Sequence, residues 1–404
     1  MNRAVLLRIA ACGLLGLGSA LLMAALLLST YTSSRITQIP LDLDKTLVSS
    51  GTGTALDPDS LLQPHFVINR DVPLVSQQAL SVEQPSNAEV VTLQVGTSVR
   101  RSDKQQDTGL LLAMVDTVTV DRTTAQAVNS EEYPAGSLQA PRTVEDTKPA
   151  TSRPLEHQGL TYRFPFDTEK KTYPVFDPIA QQEYDANYVS EEDVNGLTAY
   201  RFQQNVGYDS TGKLVEPIPY KSLLDHNEET SVTARAGLWG LEGVDPEELI
   251  TMERYYAAQR TFWVDPVSGT IVKSEEHANH YYSRDALAPE MALADYKVTS
   301  TESTIEQQVA SARSERDRIG LWTRVLPITF TAGGLIALVA GALLYSFGMR
   351  TDAALIDPGL DTGGLFGRRP ADTGPMPAAE AQTEKLPAQR PDLDRGRGPS
   401  GDPH

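Results

Sequence analysis

The run 325–347, VLPITFTAGGLIALVAGALLYSF, lies in a stretch with no charged residue between Arg324 and Arg350. At 1.5 Å of rise per residue, a run of about this length crosses the ~30 Å hydrocarbon core of a bilayer. A helix is the one open-ended element that satisfies its own backbone there. Trp322 and Tyr345 fall near its ends, where amphipathic rings favour the interface. Pro327 sits in the first turns, where a missing N–H costs little. A second apolar run, 9–28, lies near the other end of the chain. The expected fold class is therefore a membrane protein, with two transmembrane α-helices flanking a large β-rich (α+β) extracytoplasmic domain.

The first run follows Arg3 and Arg8, is longer than a secretory h-region, and leads into Ser29-Thr30-Tyr31, which offers no small-residue cleavage site. It reads as an uncleaved signal anchor, oriented with the N-terminus inside by its flanking charge. The expected layout is a cytoplasmic N-terminus at 1–8, a first span at 9–29, an extracytoplasmic domain at 30–321 ending in a juxtamembrane helix at 303–320, a second span at 322–348, and a disordered cytoplasmic tail at 349–404. The tail is rich in Pro, Gly, Asp and Arg and poor in large apolar residues, so it buries too little surface to offset its ordering entropy. Small residues recur at four-residue spacing in both spans, as Gly16, Ala20 and Ala24, and as Gly333, Ala337 and Gly341. Such stripes let two helix backbones approach closely, either with each other or between copies.

Composition narrows the function classes. The formal net charge of −18 falls on the segment between the spans, because the ends nearly cancel. So acidic a domain repels phosphate backbones, which excludes nucleic acid as a partner. The single cysteine, Cys12, lies inside the first apolar run, leaving the intervening domain without disulfide or thiol chemistry.

Between the spans, β-branched and aromatic runs alternate with turn signals and read as strands near 66–68, 90–99, 110–120, 160–166, 197–202 and 260–273. The last is a hairpin turning at Asp265-Pro266-Val267-Ser268-Gly269. Asp245-Pro246-Glu247-Glu248 reads as the capped start of a short helix through Ile250 and Tyr255. The segment 134–159, rich in Pro, Ser, Thr and Gly, reads as a long exposed loop or the boundary between two subdomains.

Chemistry-bearing motifs are scarce. His277 and His280 have helical spacing but continue a predicted strand, which puts their rings on opposite faces and makes this an exposed polar strand end. Asp42, Asp44, Asp57 and Asp59 lack the glycine and distal glutamate of a calcium loop. Gly51-Thr52-Gly53-Thr54 has no following Gly-Lys-Ser/Thr. No catalytic, metal or cofactor-binding residue is assigned, and a non-enzymatic protein without cofactor is expected. The aromatic residues Tyr162, Phe164, Phe166, Tyr173, Phe176, Phe262 and Trp263 form either a filled core or the lining of an apolar cavity.

Three segments carry a family resemblance: LTYRFPFDTEKKTYPVFDP at 160–178, NGLTAYRF at 195–202 and VDPVSG at 264–269. Lying between two terminal spans, they resemble the actinobacterial membrane proteins grouped as the porin PorA family, over the chain up to about Gly348. The family name implies a cell-wall channel. The layout is also similar to that of the animal scavenger-receptor family, in which two spans carry one β-rich ectodomain pierced by a lipid tunnel. Three functions follow as expectations: an ectodomain that binds, presents or transports envelope lipid or glycolipid through an apolar cavity, a scaffold for envelope complexes, and a porin-like channel. The partners expected are membrane lipids, such a lipid ligand, and a membrane protein or a second copy of the chain.

Overall fold

The computed structural model describes residues 3–133, 136–139, 152–220 and 230–353. Its long first helix is α1 (Arg3–Leu27), which passes through a wide π turn at Leu28–Thr32 into the short α2 (Ser33–Ile36). Six strands follow: β1 (Asp44–Leu56), β2 (Ile68–Glu83), β3 (Val90–Arg101), β4 (Leu110–Asp121), β5 (Gly136–Gln139) and β6 (Ser152–Leu155). The second half contains β7 (Tyr173–Asp177), β8 (Gln182–Val194), β9 (Leu197–Val206), β10 (Ile218–Pro219), β11 (Val232–Arg235), the one-turn α3 (Ala236–Trp239), β12 (Leu249–Val264), β13 (Ile271–Ser283) and β14 (Met291–Ser300). The described chain closes with α4 (Glu302–Gly320), a π turn at Leu321–Val325, and α5 (Leu326–Ala353).

All these strands belong to one antiparallel sheet with the main order β6-β5-β4-β3-β2-β1-β14-β13-β12-β9-β8-β7. It is two meanders joined where β1 pairs with β14, Ser49 opposite Ser300 through Ala55 opposite Ala294. The far ends of the meanders meet through one residue. The N–H of Ala127, beside β4, donates to Gly159, while Leu160 exchanges hydrogen bonds with Pro174 and Phe176 of β7. The sheet thus curls on itself into a barrel. Its inward positions alternate with outward ones along each strand, as on β12, where Tyr256 and Ala258 are buried and the polar Glu253 points out.

Gly51 and Gly53 of β1 have a packing reason. A Cβ on Gly51 would lie 1.9 Å from the carbonyl oxygen of Lys297, and one on Gly53 would lie 2.4 Å from that of Asp295. Only glycine lets β14 press onto β1 at this seam.

Because β1 and β14 are neighbours, the helices leading into and out of the barrel emerge side by side. Thr301 caps α4 by accepting from the N–H of Thr304. Ile305, Val309 and Ala312 pack under Trp263, Leu197 and Val272, and the adjoining face of the helix, with Gln308 and Ser311, lies across the lower mouth of the barrel. The helical stretches Val5–Tyr31 and Glu302–Arg350 each contain a window long and apolar enough to cross a membrane.

Several expectations need correction. Residues 160–166 are a buried loop rather than a strand, since Tyr162 takes φ 62° and Leu160 makes only a bridge. The expected helix after Asp245 is a single turn, with the Glu248 N–H donating to Asp245, and then β12. From Leu249 the burial alternates with period two, and sheet pairing prevails over the helix-start signal. The described part of 134–159 is not an exposed loop. It supplies β5 and β6, and His157 within it is fully buried. Beyond Ala353, the tail lies outside the described residues.

Candidate functional site

The inward faces of β1, β2, β3, β4, β7, β9, β12, β13 and β14 enclose a lumen containing two cavities. The lower one, about 180 Å³, lies above α4 and is lined by Lys45, Ser76, Gln78, Gln204, Arg260 and Glu276 as well as by apolar side chains. The upper one, about 220 Å³, is lined by Arg254, His280 and Tyr282 among leucines. Val99, Leu112 and Tyr296 line both and form the constriction between them.

A charged knot occupies the middle of the lumen. Arg260 reaches from β12 to Asp177 at 2.6 Å, to Glu276 at 2.8 Å and to the hydroxyl of Tyr256 at 2.7 Å. Asp177 is fully buried, and it also accepts from the Tyr256 hydroxyl and from the N–H groups of Ile179 and Ala180. Burial alone would lower the Arg260 pKa, but Asp177, Tyr256 and Glu276 more than offset it and hold the guanidinium well above its ordinary range. At the lower mouth, Lys45 donates to Ser311 of α4, and Arg163 pairs with Glu315 at 2.6 Å. Burial lowers the Lys45 pKa, with Glu315 opposing and Arg163 adding to that shift.

A second polar cluster pins the loop that closes the barrel. His157 Nε2 lies 3.0 Å from Asp116 of β4, its Nδ1 faces the Leu155 carbonyl, and the Tyr162 hydroxyl donates to the same Asp116 at 2.6 Å. Burial first, then the Asp116 charge, pushes the Tyr162 phenol well above its usual pKa.

The predicted aromatic set divides. Tyr162, Phe164, Phe176 and Phe262 touch the lower cavity. Phe166 and Tyr173 pack with Phe164 and Phe202 in a filled cluster, where Phe164 lies 4.8 Å from Phe202 and 5.5 Å from Tyr173. Trp263 points outward under α4, donating to Glu192 at 2.7 Å. What remains open is small and crossed by charges, so these rings are mainly core. The residues at the heart of the lumen, Asp177, Arg260 and Glu276, were not singled out from sequence. The available signal was Arg260, which with Arg254 places a charge at an inward position of a strand whose other inward residues are Ile250, Met252, Tyr256, Ala258 and Phe262.

The expected exposed strand end at 277–280 also splits across the sheet. His277 faces out and meets Asp295 at 2.9 Å, whereas His280 is buried inside the barrel. Asp57 and Asp59 are bridged by Lys104, at 3.0 and 2.9 Å.

The two long helices pack against each other with an antiparallel chain sense. A Cβ on Gly18 would fall 2.7 Å from the Gly334 carbonyl oxygen, and one on Gly341 would fall 2.9 Å from Leu15 Cγ. The contact residues of α1 are Ala11, Leu15, Gly18, Leu22 and Ala25; those of α5 are Gly334, Ala337, Gly341 and Gly348. Ala337 and Gly341 of the predicted stripe lie in this seam, and Gly333 would touch Leu21. Gly16 and Ala20 face away from it, with open space around Gly16, and Ala24 is only partly covered. The correct period in α1 is seven, Ala11-Gly18-Ala25, matched by Gly334-Gly341-Gly348, which is the repeat of left-handed helix packing.

The outer wall of the barrel is polar. Along β8, Glu183, Asp185, Asn187, Glu191 and Asp193 all face solvent, and His277 and Lys297 continue the pattern on β13 and β14. A barrel that itself crosses a membrane needs an apolar outer band about 25 Å tall.

With this geometry in place, the similarities to known proteins can be weighed. The family model Porin PorA matches residues 10–343, the whole barrel and most of both long helices. A Porin PorA of Corynebacterium amycolatum is 28% identical over 388 residues, covering 82% of this chain and 96% of the relative. A Porin PorA of Corynebacterium resistens is 28% identical over 318 residues, covering 67% of this chain and 76% of the relative. The chain belongs to the porin PorA family.

Proposed function

We propose that this chain is a two-pass envelope membrane protein of porin type, with its barrel outside the bilayer, both termini cytoplasmic, and a lumen that admits small hydrophilic solutes. The observation that carries this reading is the character of the lumen. Arg260, Glu276, Gln204, Ser76 and Gln78 stand among the apolar side chains that line its lower part, Arg254 and His280 among those of its upper part, and its open volumes are about 180 and 220 Å³. Pockets for drug-sized ligands run from about 300 Å³ upward, and an acyl chain threaded past the Arg260–Glu276 pair would strip water from it and offer no polar contact in return. Water and small ions meet neither obstacle. Family membership supports the same reading, and two-helix anchoring supports a membrane location.

Within one copy, α1 and α5 are in backbone contact and leave no path between them. Conduction across the bilayer therefore runs between copies, which makes a homo-oligomer part of the proposal. Purified full-length protein in a planar bilayer is expected to give stepwise conductance with a preference for cations, given the acidic domain. A flat baseline from protein shown to have inserted would overturn the channel reading. For topology, external protease on intact spheroplasts should digest the barrel and spare a tag after His404; loss of the tag would reverse the orientation.

A further inference from the structure

The upper cavity is unlike the rest of the lumen, because its polar groups are positively charged or neutral and unpaired. His280 is 3% exposed, and neither ring nitrogen makes a hydrogen bond among the described residues. Its ring lies 4.9 Å from that of Tyr256. Two strand positions from Tyr256, the Arg254 guanidinium is held 3.7 Å over the ring of Tyr220. Its Nε is buried without a partner, and among the described residues no carboxylate pairs with it. Leu56, Leu61, Val99, Leu110 and Leu293 supply apolar wall, and the exposure of Leu61 and Leu110 places the mouth at the barrel's upper rim.

Buried donors left unsatisfied are costly, and a ligand that satisfies them recovers that cost. From this juxtaposition we infer that the upper cavity is a binding site for a small organic carboxylate, its head between Arg254 and His280 and its short hydrocarbon tail along Leu56, Val99 and Leu293. Charge selects an anion. The apolar walls select one with a tail over inorganic phosphate or chloride. Size keeps the tail short: a cavity of about 220 Å³ is below the range of drug-sized pockets, and pentanoate is a probe of suitable length. Burial, with the Arg254 and Arg260 charges adding to it, keeps His280 neutral near pH 7, so it offers one N–H to the head group.

This site does not depend on conduction, and a conducting protein that binds no carboxylate would overturn this inference alone. The test is calorimetric titration of the full-length protein in detergent. Sodium pentanoate is expected to bind saturably at one site per chain, pentan-1-ol and inorganic phosphate at least about tenfold more weakly. Arg254→Gln should weaken pentanoate by about tenfold or more, the loss of one charge-assisted hydrogen bond. Lys297→Gln, on the outer face of β14, should leave it unchanged, with thermal melts verifying that both variants fold. The inference is overturned if the unmodified protein gives no saturable heat with millimolar pentanoate, if pentan-1-ol binds as tightly, or if folded Arg254→Gln binds undiminished.

Discussion

Replacing Arg260 by Met tests whether the central charges are a dry structural knot or a solvated one. The substitution keeps an unbranched apolar stem but removes the guanidinium, the partner of two carboxylates. Glu276 loses its contact at 2.8 Å, whereas Asp177 keeps three donors, the Tyr256 hydroxyl and the N–H groups of Ile179 and Ala180. Breaking a buried ion pair typically costs 3–5 kcal/mol, so with Asp177 cushioned a loss of about 3 kcal/mol is expected. For a domain of this size each kcal/mol moves the midpoint by about 2 °C, so Tm should fall by about 6 °C. The assay is a melt of full-length protein in detergent followed by near-ultraviolet circular dichroism. Adding Glu276→Leu removes the stranded charge and should recover more than half of the loss. A fall below about 2 °C, or no recovery in the double variant, would refute the reasoning and mean that cavity water already solvates these groups.

Three further outcomes can be checked. Gly18→Leu should abolish crosslinking between cysteines placed at Leu7 and Gly348, where the two Cβ atoms would lie 3.9 Å apart, in the Cys12→Ser background, while Ala20→Leu leaves it intact, because the first pushes a side chain into Gly334 and Leu338 and the second faces outward; the cost of such overpacking is about 1–3 kcal/mol. His280 is held below its ordinary pKa of 6.5 by burial and then by Arg254 and Arg260, so the folded state binds fewer protons than the unfolded one, and stability is lost as pH falls below 6.5. Between pH 7.5 and 5.5 the parent should therefore lose about 1.4 kcal/mol more than His280→Phe in urea titrations, and equal slopes would refute a buried neutral imidazole. Thr301→Ala removes the cap of α4 and should destabilise by about 1 kcal/mol, read as a lowered melting midpoint.

The legible parts of the chain were those whose pattern is strictly local. The hairpin around Asp265 and Gly269, the strands from Val90 and Leu110, and the helix α4 before α5 each follow from periodicity and turn chemistry within a dozen residues. The helix expected after Asp245 failed because a capping signal was read without the period-two alternation of Ile250 and Met252 that follows it. The lumen was less legible still. Asp177 on β7 is brought to Tyr256 and Arg260 on β12 from a distant segment, and their roles exist only once the sheet closes through Leu160. The helix seam was missed by one face in α1, since Gly16, Ala20 and Ala24 satisfy a four-residue rule as well as Ala11, Gly18 and Ala25 satisfy a seven-residue one. Composition cannot choose between stripes of small residues on the same helix; the partner's position does.

The joining of the two meanders at β1 and β14 links these features. It sets both long helices beneath the same seam of the barrel, and it also decides what stands at the lower mouth. The chain enters through Lys45 on β1 and leaves along α4, so Lys45, Ser311, Glu315 and Arg163 meet there as a polar rim. A lipid conduit needs an apolar lip continuous with the bilayer, so that no methylene passes through water or against a charge. This chain presents the opposite: an ammonium, a guanidinium and a carboxylate at the mouth, a second ionic knot at Arg260, and an outer wall of Glu, Asp and Lys. Among the described residues, the extended surfaces suited to a bilayer are the outward faces of α1 and α5, through Ile9, Leu17, Ile336, Val339 and Phe347, whereas the rim and outer wall of the barrel offer it charges.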